Sequence, residues 1–193
     1  MIYHIPNILS MLRIVLAPVF FFMLISGNKN FILISCLIYL VAAITDYFDG
    51  WLARRLKAIS VLGNFLDPLA DKVLTSAALI AFVMLKIIPL WMVIIILIRD
   101  FGTTFLRIYA DNQNIPMRTS KSAKIKTFLQ MLFIAIILMI IFLFHLDIGI
   151  SSELYKDLIY NDFIYYGMMM LVVYTVWTLF EYLIHNNIIK LWK

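Results

Sequence analysis

The chain has 193 residues, 64% of them hydrophobic and 14% charged, with a formal net charge of +5 and a mean hydropathy of +0.99. Soluble domains are roughly 45–50% apolar, so this excess excludes an ordinary globular core and points to an integral membrane protein with one domain over residues 1–193. The positive balance reads as loop charge at a membrane surface, which sets nucleic acid aside as a partner.

A spanning helix needs roughly 20 apolar residues. Taken in chain order, six stretches qualify, at about 8–26, 31–54, 68–86, 89–109, 125–145 and 163–184. The opening Met1 to Asn7 has neither a basic n-region nor a small-residue cleavage site, and reads as a short interfacial lead-in rather than a removed signal peptide. The single cysteine, Cys36, lies in an apolar run and is expected to pack without forming a disulfide.

Lysine and arginine fall unevenly between these stretches. Lys29, Lys86 and Lys156 are alone in the connections after the first, third and fifth stretches. Arg54, Arg55 and Lys57 follow the second, and Arg118, Lys121 and Lys124 follow the fourth. The positive-inside rule then places both termini in the cytoplasm. The connection holding Asp147, Glu153, Asp157 and Asp162 becomes a solvated external loop.

Four aspartates stand out against this background. Asp46 and Asp49 end the second stretch, three residues apart, and Asp67 and Asp71 open the third, four apart. Helical spacing puts each pair on one face, and an antiparallel connection brings the pairs together. Pro68 suits a first helical turn. Acids at membrane depth are expensive and mark function. A cluster of carboxylates without His or Cys suits a hard divalent cation such as Mg²⁺ or Mn²⁺ rather than zinc. Gly50, Ala53 and Gly63 clear space for a ligand or a neighbouring backbone, unless they only serve helix packing. Arg54 and Lys72 could counter the acids, bind phosphate or snorkel to the interface.

The string Asp46-x2-Asp49-Gly50-x2-Ala53-Arg54-x8-Gly63-x3-Asp67-x3-Asp71 resembles in full the signature of the CDP-alcohol phosphatidyltransferase family. The resemblance implies an all-α integral membrane protein with six transmembrane helices, a cytoplasm-facing polar cavity and a homodimeric state. It implies transfer of a phosphatidyl or related group from a CDP-linked donor to an alcohol with release of CMP. It further implies that Asp46, Asp49, Asp67 and Asp71 hold two divalent cations, Mg²⁺ or Mn²⁺, with Asp71 also the base on the acceptor hydroxyl. Gly50, Ala53, Arg54 and Gly63 would line the CDP-donor pocket.

The acceptor is written elsewhere. Arg99-Asp100-x6-Arg107 and Lys124-Ile125-Lys126-Thr127 supply cations suited to a phosphate, although basic loops also set topology and attract anionic headgroups. Arg99, within apolar helix, needs a partner. With Asn7-x2-Ser10-x2-Arg13 and Pro18, these segments look like the family branch of bacterial phosphatidylglycerophosphate synthases, over residues 5–130. That implies CDP-diacylglycerol as donor, sn-glycerol 3-phosphate as acceptor, and Arg99, Arg107, Lys124 and Lys126 as acceptor phosphate ligands. Asn7, Ser10 and Arg13 would lie on the donor side. Two positions depart from that branch: Asp100 replaces its usual Glu, and Ala123 its usual Gly. An Arg-Asp pair also occurs in CDP-alcohol-type cardiolipin synthases, whose acceptor is phosphatidylglycerol. A rival from another class is a cation transporter, but the acids sit near helix ends and no second half repeats them.

Overall fold

The computed structural model describes the backbone of residues 5–56, 61–113 and 120–185, and side chains at 11–45, 69–70, 72–110, 113 and 120–184. Among these residues there are seven helices and no strand: α1 (Ile5–Leu24), α2 (Lys29–Leu56), α3 (Val61–Met84), α4 (Leu90–Asn112), α5 (Lys121–His145), α6 (Ser152–Ile159) and α7 (Asp162–His185). The six long helices coincide with the six apolar stretches of the sequence.

Three boundaries differ from expectation. α3 begins at Val61, so Pro68 falls inside the helix rather than in its first turn. A proline interferes only with the turn behind it, and helix can continue N-terminal to it at a local cost. α5 starts early because Ser120 caps it, its hydroxyl accepting the Ala123 N–H at 3.2 Å. The acidic connection between α5 and α7 is partly helical: Ser151 caps α6 by accepting the Leu154 N–H, with Glu153 in the first turn favoured by the helix dipole. α6 lies against α5, where Tyr155 stacks on Phe144 with ring centroids 4.0 Å apart.

Two turns are made by non-glycine residues at positive φ. Lys86 (φ +59°) and Asp147 (φ +58°) each end a helix in the left-handed conformation. In each, the following N–H reaches back five residues, Ile87 to Phe82 and Ile148 to Leu143, closing a Schellman motif. On the same side, Lys29 at the start of α2 pairs with Asp147.

α1 packs against both α2 and α3, α4 against α3 and α7, and α5 against α2, α3 and α7. Ala17, Phe20, Phe82, Met92, Ile96 and Met168 are among the fully buried core residues. The distribution of polarity is inverted relative to a soluble protein. Arg99, Asp100, Lys126, Gln130, Thr175 and Thr178 are all buried, while Phe163, Met170, Trp177 and Ile184 of α7 are between 66% and 82% exposed. An apolar face running the length of a helix is far larger than water tolerates, so this exterior is built for lipid. Two stretches, Lys121–His145 and Ser152–Ile184, are long and apolar enough to cross a bilayer. The protein is an all-helical, membrane-associated one.

Candidate active site

The polar interior is organised around Asp100 on α4. Lys126 of α5 donates to both of its carboxylate oxygens, at 2.7 and 2.8 Å, and to Gln130 Oε1 at 2.5 Å. Arg99 donates from Nη1 to Asp100 Oδ1 and from Nη2 to Thr178 Oγ1 of α7, both at 3.0 Å. Lys72, next to Asp71 on α3, acts electrostatically on both Asp100 and Lys126. Two cations thus contact one carboxylate and, with Thr178, link α4, α5 and α7, while Lys72 on α3 adds its field to the network. Burying charge is costly unless it is paired and hydrogen-bonded, and here the partners converge from several helices. Among the described residues, Arg99 Nε and Thr175 Oγ1 are buried with no hydrogen-bond partner.

Nearer the start of α5, a second polar contact reaches α7. Ser122 donates to Glu181, and Ser122 and Ser120 hydroxyl oxygens lie 2.9 Å apart. Lys124 is exposed beside this turn, and Arg107 on α4 is partly exposed.

A cavity of about 560 Å³ lies between α2 and α5, floored by Arg13 of α1 and by Leu74 and Thr75 of α3. Its walls are mainly apolar, with Leu37, Leu40 and Ala43 facing Phe128, Leu132 and Ala135. Cys36 also lines it, as a free, buried thiol whose Sγ–H points to the Leu138 carbonyl at 3.8 Å. Ala43 is three residues before Asp46, and Leu74 three after Asp71, so the cavity begins about one helical turn from the aspartate motif along both α2 and α3. From Phe128 to Phe142 on α5 it extends about 21 Å, at 1.5 Å per residue.

The aspartate motif itself is helical in backbone. Asp46, Asp49, Gly50, Ala53 and Arg54 belong to α2, and Gly63, Asp67 and Asp71 to α3. Their side chains, like those of Asn7 and Ser10 on α1, lie outside the described residues. Arg13 is described, and its guanidinium is buried. Of the four expected acceptor ligands, Arg99 and Lys126 are in the buried network, whereas Arg107 and Lys124 keep access to solvent. Sequence reasoning passed over Thr178 and the Ser120–Ser122 cap. The available signal was Thr175, Thr178 and Glu181, three polar residues three apart along one face of an otherwise apolar helix.

A lipid-facing helical protein with a charged interior and two acid pairs on successive helices is the setting of a membrane enzyme acting on a phosphate-bearing lipid. The chain belongs to the CDP-alcohol phosphatidyltransferase family, which it matches over residues 3–184. It is 34% identical over 149 residues to the CDP-diacylglycerol--glycerol-3-phosphate 3-phosphatidyltransferase of Bacillus subtilis (strain 168), covering 71% of this chain and 77% of that protein. It is 38% identical over 130 residues to the probable phosphatidylglycerophosphate synthase of Mycobacterium tuberculosis (strain ATCC 25618 / H37Rv), covering 66% of this chain and 62% of that protein. A relative from Rickettsia typhi (strain ATCC VR-144 / Wilmington), named as the Bacillus one is, shares 31% identity over 136 residues, 70% of this chain and 76% of its own.

Proposed function

We propose that this chain is a CDP-diacylglycerol–glycerol-3-phosphate 3-phosphatidyltransferase. The observation that carries the reading is the complete aspartate motif on α2 and α3, in a chain whose relatives bear that activity's name. The acceptor hydroxyl of sn-glycerol 3-phosphate attacks the phosphorus bearing diacylglycerol. The bond from that phosphorus to the oxygen of the CMP group breaks, giving phosphatidylglycerophosphate and CMP, and the hydroxyl proton passes to Asp71.

Asp46, Asp49, Asp67 and Asp71 are the residues that would hold the divalent metals the family uses. The donor set fits: four carboxylates, with no imidazole or thiolate in the motif, match Mg²⁺ or Mn²⁺. When bound, such ions offset charge building on the pyrophosphate oxygens. Asp71 is an effective base only while unprotonated, a state that nearby cations favour.

The remaining residues divide by substrate. Gly50, Ala53, Arg54 and Gly63 take the cytidine diphosphate, with Asn7, Ser10 and Arg13 on the donor side. The apolar cavity between α2 and α5 receives an acyl chain of the donor, supported by its beginning one turn from the motif and by its lining. The acceptor phosphate meets the basic residues of α4 and α5. Arg107 and Lys124 are the accessible pair, while Arg99, with Nε–H unpartnered among described residues, and Lys126 build the charge beneath them.

All six long helices span the bilayer, with both termini and the motif on the cytoplasmic side of a bacterial inner membrane, as the loop charges favour. The active form is a homodimer. The deciding experiment is CMP release by detergent-purified protein given CDP-diacylglycerol and Mg²⁺, with glycerol 3-phosphate or phosphatidylglycerol offered separately. Release that requires glycerol 3-phosphate supports the proposal. Release only with phosphatidylglycerol would make the chain a cardiolipin synthase, and release only when inositol or serine is offered instead would keep the metal site and overturn the substrate reading.

A further inference from the structure

We infer that Glu181 of α7 is a positioning residue for acceptor binding: by accepting a hydrogen bond from the Ser122 hydroxyl it fixes the first turn of α5, and with it the accessible Lys124. This rests on the proposed reading of the basic residues as the acceptor phosphate site.

The argument begins with hydroxyl bookkeeping. Ser122 Oγ is within hydrogen-bond reach of both Glu181 and Ser120 Oγ, yet a serine hydroxyl has one proton to give. A carboxylate is the stronger acceptor, so the Ser122 hydroxyl donates to Glu181. Ser120 then donates its own O–H to Ser122 Oγ, and with one of its two lone pairs accepts the Ala123 N–H that caps α5. Glu181 therefore sets the direction of the hydroxyl hydrogen bonds in this turn, and each bond polarises the next. No neutral hydroxyl in its place would enforce that order.

The same face of α7 reaches α4. Thr178, three residues before Glu181, accepts from Arg99 Nη2 and donates to the Thr175 carbonyl at 2.9 Å. One helix edge thus sets the relative placement of α4 and α5, the two helices that carry the basic residues. Neither contact is local in sequence: Ser122 and Glu181 are 59 residues apart, and Arg99 and Thr178 are 79 apart. Glu181 is also an acid beside a site for an anion. That electrostatic disadvantage is offset only if the carboxylate supplies order that the basic residues need.

The test is steady-state kinetics on full-length protein in detergent, with separate KM values for glycerol 3-phosphate and CDP-diacylglycerol. Glu181→Ala is expected to raise the KM for glycerol 3-phosphate about tenfold, the size of a lost charge-assisted hydrogen bond, leaving kcat and donor KM within about twofold. Ser122→Ala should reproduce that shift, and the double variant should go no further than either single one. Glu181→Gln keeps an acceptor oxygen but not the charge, and should recover only part of the wild-type KM. KM is independent of the fraction of protein that folds, so poor folding would lower the apparent kcat alone. An unchanged acceptor KM in Glu181→Ala, or additive effects in the double variant, would overturn the inference. Should wild-type protein release CMP only with a different acceptor, the substrate reading fails instead, and the same comparison is made on that acceptor's KM.

Discussion

Lys126 Nζ lies 2.7 Å from one oxygen of Asp100 and 2.8 Å from the other, with the lysine side chain 0% and the aspartate 2% exposed. Twenty-six residues separate them, and the pair joins α4 to α5 inside a protein whose outer surface is apolar. Gln130 Oε1 accepts a further hydrogen bond from Lys126, and Arg99 shares Oδ1 of the carboxylate. Fully partnered, such a network specifies one arrangement of helices; half-dismantled, it leaves charge stranded in a low-dielectric interior.

Asp100→Ala should therefore be among the most destabilising single changes in the chain. Removing one member of a buried ion pair costs about 3–5 kcal/mol, because the remaining charge stays buried without its partner. Thermal unfolding in detergent should show a large loss. The Asp100→Leu/Lys126→Leu double variant should recover part of it, since both charges leave together, while Arg99 keeps only Thr178 among its present partners. Equal unfolding temperatures for Asp100→Ala and wild type would show that the network contributes little.

The accessible and buried cations should respond differently to truncation. Lys124→Ala and Arg107→Ala are each expected to raise the KM for glycerol 3-phosphate about tenfold with normal yields of folded protein. Lys126→Ala should instead lower the folded yield by stranding Asp100. A Lys126→Ala protein that is stable and impaired only in acceptor KM would put its ammonium in direct contact with the phosphate.

Chelation should abolish CMP release, and added Mg²⁺ or Mn²⁺ should restore it. Asp71→Asn is expected to lower kcat by roughly 10²–10⁴, the range for loss of a positioned general base, with a smaller effect on donor binding. Asp46→Asn and Asp67→Asn should weaken donor binding and rate together. Normal turnover by Asp71→Asn at matched expression would remove it from the role of base.

Ala135 lines the cavity between α2 and α5 from the lipid-exposed side. Ala135→Trp should fill much of that space and raise the KM for long-chain CDP-diacylglycerol severalfold, with less effect on a donor whose acyl chains stop near the motif. Equal effects on both donors would mean that the acyl chain lies elsewhere.

Much of this architecture was legible in the residues because a membrane imposes simple rules. A backbone in lipid must satisfy its own hydrogen bonds, so long apolar runs become helices, and the six stretches match α1 to α5 and α7. The motif was equally plain, since four acids at helical spacings within an apolar setting have few structural explanations. Helix ends were less legible. Ser120 and Ser151 were unremarkable until the backbone placed them at helix N-termini, and the acidic connection gave no hydropathy signal for α6. Pro68 suggested a helix start because proline favours first turns, but α3 extends through it.

The sequence by itself determined that this is a helical membrane protein and that it carries the family's aspartate motif, because both are matters of local composition and spacing. Tertiary structure alone decided which charges meet. Arg99 needed a partner on sequence grounds, yet only folding places Lys126 on the same carboxylate and Thr178 against the guanidinium. Lys124 and Lys126 are two residues apart and alike in type, but helical rotation turns one outward and buries the other completely. Partner choice in a low-dielectric interior depends on which faces of distant helices pack together, and spacing along one chain does not contain that information.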